Sequence, residues 1–175
     1  LNLFDALAPS ALLLTVLNDT SIKLDWTNNS LNAEGVSIER STNGSDYTEI
    51  ATVSAATTTY TDTTGADGTR YYYRLKSYKG TTYSAASTAT NDWTAIKMVL
   101  TSTGNGTGVS TVRFWFDNVD TVVTLDGNGK WYSDNGGTLN ESASYTFVKG
   151  ALRTRYLKVT SGTSNMLLFA KGGWK

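Results

Sequence analysis

From Ala11 onward, apolar and polar residues alternate in short runs, and each run ends in residues that favour reversal of the chain. The runs predict strands over 12–16, 21–26, 35–40, 47–53, 58–61, 70–78 and 82–90. The breaks fall at Asn18-Asp19, Asn28-Asn29-Ser30, Asn43-Gly44-Ser45, Gly65-Ala66-Asp67-Gly68 and Lys79-Gly80, whose side chains or glycines suit turns. Side chains alternate along a strand, so Ile22, Leu24 and Trp26 share one face, as do Val36 with Ile38, and Tyr71, Tyr73 and Leu75. These faces should meet as a core. Tyr72, Arg74 and Lys76 point the other way.

Beyond Asn91-Asp92-Trp93-Thr94 the spacing loosens and glycines cluster, so a second domain is expected over 95–175, after a first over 9–92 and a leader over 1–8. The second half predicts strands over 95–102, 110–116, 119–125, 130–133, 144–148, 151–160 and 166–170. Val112, Phe114 and Phe116 alternate against Arg113 and Trp115, which places a large aromatic on an outer face. Asp126-Gly127-Asn128-Gly129 has the chemistry of a tight hairpin. The expected fold is all-β throughout.

Length agrees, because each half of the 175 residues is large enough to bury a modest core. With no cysteine, neither disulfides nor thiolate chemistry is available. With no histidine, the usual general base and the commonest metal ligand are missing, which argues against an enzyme. Fifteen basic residues balance fifteen acidic ones and are dispersed, so no footprint for nucleic acid or anionic lipid is present. No run reaches the ~20 apolar residues that would insert in a bilayer. The abundance of Thr, Ser, Asn, Gly and Tyr suits exposed strands of an extracellular protein. A start at Leu1 suggests a processed product or a fragment.

Pro9, Trp26, Ile38-Glu39-Arg40-Ser41, Tyr47, Tyr60-Thr61-Asp62, Gly68-Thr69 and Tyr71-Tyr72-Tyr73-Arg74 occur in an order that resembles a fibronectin type III module over residues 9–92. The resemblance implies a β-sandwich in which Trp26 is a core residue and Tyr71 forms the tyrosine corner, its hydroxyl bonded to a nearby backbone group. Such modules act as spacers and recognition surfaces. No Arg-Gly-Asp tripeptide lies near Lys79-Gly80, so integrin binding is not implied. The second half resembles small β domains of bacterial surface or phage-associated proteins, and a small antiparallel sandwich or barrel-like domain is expected there.

Candidate chemistry is sparse. Asp117, Asp120, Asp126, Asp134 and Glu141 could in principle pair for glycoside hydrolysis, but most sit beside Gly or Asn, where Asp caps turns and stays solvated. Asp126-Gly127-Asn128-Gly129 lacks the alternating acids of a calcium loop, and its twelfth position is Gly137 rather than Glu. Gly104-Asn105-Gly106-Thr107-Gly108 has no following Lys-Ser or Lys-Thr to make a phosphate cradle. No catalytic, cofactor or metal residue is assigned, and no cofactor is expected.

Aromatic rings are plentiful in the second half, and Trp115, Trp131 and Tyr132 are candidate contacts for a glycan or a protein. The plainer reading is that most of these rings pack in the core or between the domains. In the leader, Leu1, Leu3, Phe4 and Leu7 need burial, either against their own domain or as a docking segment for a neighbouring subunit; Trp174 is a further docking candidate. Asn-X-Ser/Thr sequons occur at Asn18, Asn28, Asn43, Asn105 and Asn140, and Thr63 and Thr121 follow Asp in short motifs of bacterial O-glycosylation.

These readings point to a non-catalytic structural or adhesive protein of the cell exterior, cell surface or virion. It would be displayed in many copies as a homo-oligomer or fibre, and would contact cell-surface proteins or glycans. The alternative is a carbohydrate-binding accessory module of a larger secreted enzyme.

Overall fold

The computed structural model describes residues 3–101, 110–114, 121–125, 129–132, 144–147, 153–159 and 163–170. The chain divides into two compact units, Leu1–Thr94 and Ala95–Lys175. Every described regular element is a β-strand, and every pairing between strands is antiparallel.

The first unit contains β1 (Ser10–Val16), β2 (Ile22–Thr27), β3 (Gly35–Ser41), β4 (Thr48–Ser54), β5 (Thr59–Asp62), β6 (Arg70–Lys79), β7 (Thr82–Tyr83) and β8 (Thr90–Trp93). One sheet has the order β1-β2-β5 and the other β4-β3-β6-β7, with β8 pairing the start of β6. Ile22, Leu24 and Trp26 from the first sheet meet Val36, Ile38, Tyr71, Tyr73 and Leu75 from the second in one buried cluster. The period-two pattern therefore translates directly into a sandwich. On β3 the alternation does not report burial: Ser37 is as buried as its apolar neighbours and donates to Glu49 Oε2 at 2.5 Å.

Two departures from the expected strands matter. β1 starts at Ser10 rather than Leu12, with an irregularity between Ser10 and Leu13 and a left-handed φ of 53° at Ala11. The strand expected over 82–90 is split into β7 and β8. Between them, Ser87 Oγ accepts the Leu75 N–H at 2.9 Å and Ser84 Oγ accepts the Ser77 N–H at 3.0 Å. Hydroxyls thus take the place of ladder carbonyls as acceptors, while the Ser84 and Ser87 N–H groups still donate to the Ser77 and Leu75 carbonyls at 2.9 and 2.8 Å, so the segment stays tied to β6 without a regular strand ladder.

The second unit has sheets β10-β14-β12 and β13-β11-β15-β9, built from β9 (Ile96–Thr101), β10 (Ser110–Phe114), β11 (Thr121–Leu125), β12 (Gly129–Tyr132), β13 (Ser144–Phe147), β14 (Arg153–Val159) and β15 (Thr163–Ala170). Buried Val123 and Leu125 on β11 are in register with buried Leu168 and Met166 on β15. β15 begins three residues before the apolar run that announces it, because Thr163 to Asn165 pair with Thr101 to Val99 on β9.

Candidate functional site

The leader lies against the loop between β2 and β3. Its fold-back is made by polar groups that the apolar pattern of the leader does not advertise. The Asp5 carboxylate accepts from the Ser30 hydroxyl and, at 2.8 Å, from the Leu31 N–H. Asn32 accepts the Asp5 N–H through Oδ1 at 3.1 Å and donates through Nδ2 to the Leu3 carbonyl at 2.5 Å. Asn29 Nδ2 donates to the Ala8 carbonyl at 2.7 Å. The bond from Ser30, then that from Leu31, hold the Asp5 carboxyl below its ordinary value. A turn with φ of 50° at Ala6 lets the leader bend between these anchors.

This clasp leaves the leucines outside. Leu3 is 74% exposed, Leu7 50% and Leu31 96%, while Phe4 is half-buried. Loop residues Asn29, Ser30 and Asn32 form the clasp, and the sequence signals them only as generic turn formers. Leu1 and Trp174, the other docking candidates, lie outside the described residues, as does Trp115. Trp131 and Tyr132 fall on β12, in register with Leu157 and Tyr156 of β14.

Glycosylation candidates differ sharply in availability. Asn28 is fully engaged: its Oδ1 accepts Trp26 Nε1–H at 2.8 Å, and its Nδ2 donates to the Ala55 and Thr57 carbonyls, at 2.5 and 3.1 Å. Asn18 Oδ1 accepts the Thr20 N–H at 2.8 Å, and exposed Asn43 organises its turn while donating to Asp46 at 2.7 Å. Thr63 is exposed immediately after β5. Thr121 opens β11, opposite Phe147 and Ala170. Asn105 and Asn140 lie outside the described residues, as do Asp117, Asp120, Asp126, Asp134 and Glu141.

The titratable groups that the first unit does assemble are structural ties. Fully buried Asp62 accepts from Arg40 Nη1 at 2.8 Å and from the Tyr73 hydroxyl at 2.8 Å, with Thr64 on its other oxygen. Burial pushes its carboxyl up, but the bonds from Thr64, Tyr73 and Arg40 outweigh this and hold it below the ordinary value. Burial and the bond to Asp62 push the Tyr73 phenol far up. Outside the sandwich, Glu39 receives Arg74 at 2.5 Å and Lys76 at 2.8 Å, and Arg74 stacks 4.0 Å from the Tyr47 ring centre. Among the described residues no group of three or more acidic, His or Cys side chains converges as metal ligands. The tyrosine corner is formed, with the Ala66 N–H donating to the Tyr71 hydroxyl at 2.9 Å.

No family model matches the chain, and no curated protein does. Among solved structures, an Fn3-like protein from Clostridium thermocellum is 31% identical over 49% of this chain and 88% of its own, with a TM-score of 0.44. A two-domain fibronectin type III segment of chicken tenascin is 18% identical over 96% of this chain and 93% of its own (TM-score 0.48). The fn3 domain of human contactin 1 is 14% identical over 61% of this chain and 88% of its own (TM-score 0.49). The strand order of the two facing sheets, the Tyr71 corner and the 31% identity with the clostridial protein agree, and through its first unit the chain belongs to the fibronectin type III family.

Proposed function

We propose that the chain is a non-catalytic structural or adhesive component, displayed in many copies outside the cell or on a virion, whose copies join at the leader end. The exposure of Leu3, Leu7 and Leu31 carries this reading. Burying a leucine side chain stabilises by roughly 1.5–3 kcal/mol, and an isolated copy forgoes most of that at these positions. The clasp that keeps them at the surface consists of exposed hydrogen bonds, each worth little net in water. An assembled form that covers the leucines would recover part of that burial against the cost of association. Weak contacts of this kind gain strength when many copies are presented together.

Light scattering and electron microscopy of the purified chain across a range of concentrations test the reading. Oligomers or filaments are expected without added ligand, and the Leu3→Ser, Leu7→Ser, Leu31→Ser triple variant should remain monomeric with an unchanged melting curve. A monodisperse monomer at every concentration would overturn it.

A further inference from the structure

The turn between β3 and β4 carries the pair Asn43-Gly44, and its glycine is there for a structural reason. Gly44 takes a left-handed φ of 78°, and a Cβ on it would lie 3.2 Å from the Tyr72 ring, so the turn closes over that ring without room for a side chain. The same bareness creates a chemical weakness. An asparagine followed by glycine can cyclise, because no side chain shields the next backbone nitrogen from the asparagine Cγ. In that step the Gly44 nitrogen bonds to Asn43 Cγ, the Cγ–Nδ2 bond breaks, and ammonia leaves with the proton that Gly44 gives up. Water then opens the cyclic imide at either carbonyl, leaving aspartate or isoaspartate at position 43.

The closed turn holds each group that takes part. The Gly44 N–H, whose proton has to be lost, donates to Ser41 Oγ at 3.0 Å. Asn43 Oδ1 accepts from the Ser45 and Asp46 N–H groups and from the Ser41 hydroxyl, each at 2.9 Å. The leaving nitrogen, Nδ2, donates to Asp46 Oδ2 at 2.7 Å. Ser41 is itself anchored, buried at the end of β3 opposite Tyr72. Ring closure needs an anionic Gly44 nitrogen and a side chain free to turn the face of Cγ onto it. Here Ser41 holds the proton, the Asp46 carboxylate disfavours a second negative charge beside it, and the bonds at both Oδ1 and Nδ2 fix the side chain.

We propose that Asn43 is a modification site gated by the conformation of this turn: its amide survives while the turn is closed, and opening exposes it to cyclisation. The isoaspartate product lengthens the backbone by a methylene and moves Cγ and Oδ1 into the main chain. The Ser45 and Asp46 amides then lose their acceptor, and the turn does not close again over Tyr72. That ring, stacked by Arg70 at 4.9 Å from its centre, is left uncovered. An opening event is thereby made permanent.

Peptide mapping by mass spectrometry after incubation at mildly alkaline pH provides the test. Conversion at Asn43 should be about tenfold or more slower in the folded chain than in the chain unfolded in guanidinium chloride. Asp46→Ala, at an exposed position, should speed conversion of the folded chain several-fold with an unchanged melting temperature, and leave the unfolded rate as it was. The isoaspartate form, separated by charge, should show fast hydrogen exchange at Ser45 and Asp46 and shifted Tyr72 ring signals, while β2 and β6 keep their protection. A folded chain that converts as fast as the unfolded one, or faster because the donors on Oδ1 assist the step, would overturn the proposal. So would a folded Asp46→Ala variant that converts at the original rate, or an isoaspartate form that keeps protection at both amides.

Discussion

Asp62 is the residue on which the two sheets of the first unit are pinned. It sits at the end of β5, yet its partners Arg40 and Tyr73 come from β3 and β6 of the facing sheet. Removing the carboxylate leaves a guanidinium and a phenol without their shared acceptor, so Asp62→Ala is expected to cost about 2–4 kcal/mol in urea denaturation. The folded carboxyl lies below its unfolded value, so its contribution is complete above the unfolded value and is lost as pH falls through the folded one. Glu39, held down by Lys76 and Arg74 against its burial, acts in the same direction. The urea midpoint should therefore drop between about pH 5 and pH 3, and less steeply in Asp62→Asn. Tyr71→Phe deletes the acceptor for the Ala66 N–H and should cost about 1–2 kcal/mol. Sequence made Tyr71 legible because a tyrosine three residues past a glycine turn has few other roles in a sandwich. It hid Asp62, because an acid between a strand and Thr-Thr-Gly looks like a solvated turn residue or part of a glycosylation motif.

At the scale of elements, strands with a clean alternation of apolar side chains were read from sequence to within a residue or two, as in β2 and β6. The interrupted strand over 82–90 could not be, because Ser, Ala and Thr fit a strand and a loop alike. What breaks it is the choice of hydroxyl over carbonyl as the acceptor for β6. Replacing both Ser84 and Ser87 by Ala should expose the Leu75 and Ser77 amides, seen as faster hydrogen exchange at those two positions while the rest of β6 stays protected. Gly35 marks a close approach at the head of β3: a Cβ there would collide with the Val53 carbonyl and lie 2.6 Å from the Tyr78 hydroxyl. Gly35→Ala should lower the melting temperature and shift the Tyr78 ring signals. The clasp was invisible for a related reason: hydrophobic patterning finds what a segment buries, whereas the leader is held by what it hydrogen-bonds.

At the scale of the whole molecule, the core cluster of the first unit is, among the described residues, drawn from its own strands, so residues 1–94 should fold without the remainder. The fragment is expected to unfold cooperatively in urea, with the Trp26 signal showing the same midpoint as in the full chain. A midpoint lowered substantially would mean that the second unit lends the first its stability. Fold class was legible at this scale because periodicity repeats over many strands and errors average out. Of the leader, the apolar residues were legible as docking candidates, whereas the loop groups that hold it, Asn29, Ser30 and Asn32, follow no periodicity. The amide of Asn28 has a consequence for biosynthesis. Both of its hydrogens hold the carbonyls of the β4–β5 turn, so an oligosaccharide could be attached there only before the domain closes, and would then obstruct its closure. In a glycosylating host, occupancy at Asn28 would mark molecules that were modified before they folded, and glycopeptide mass spectrometry of the soluble and aggregated fractions should find it concentrated in the latter.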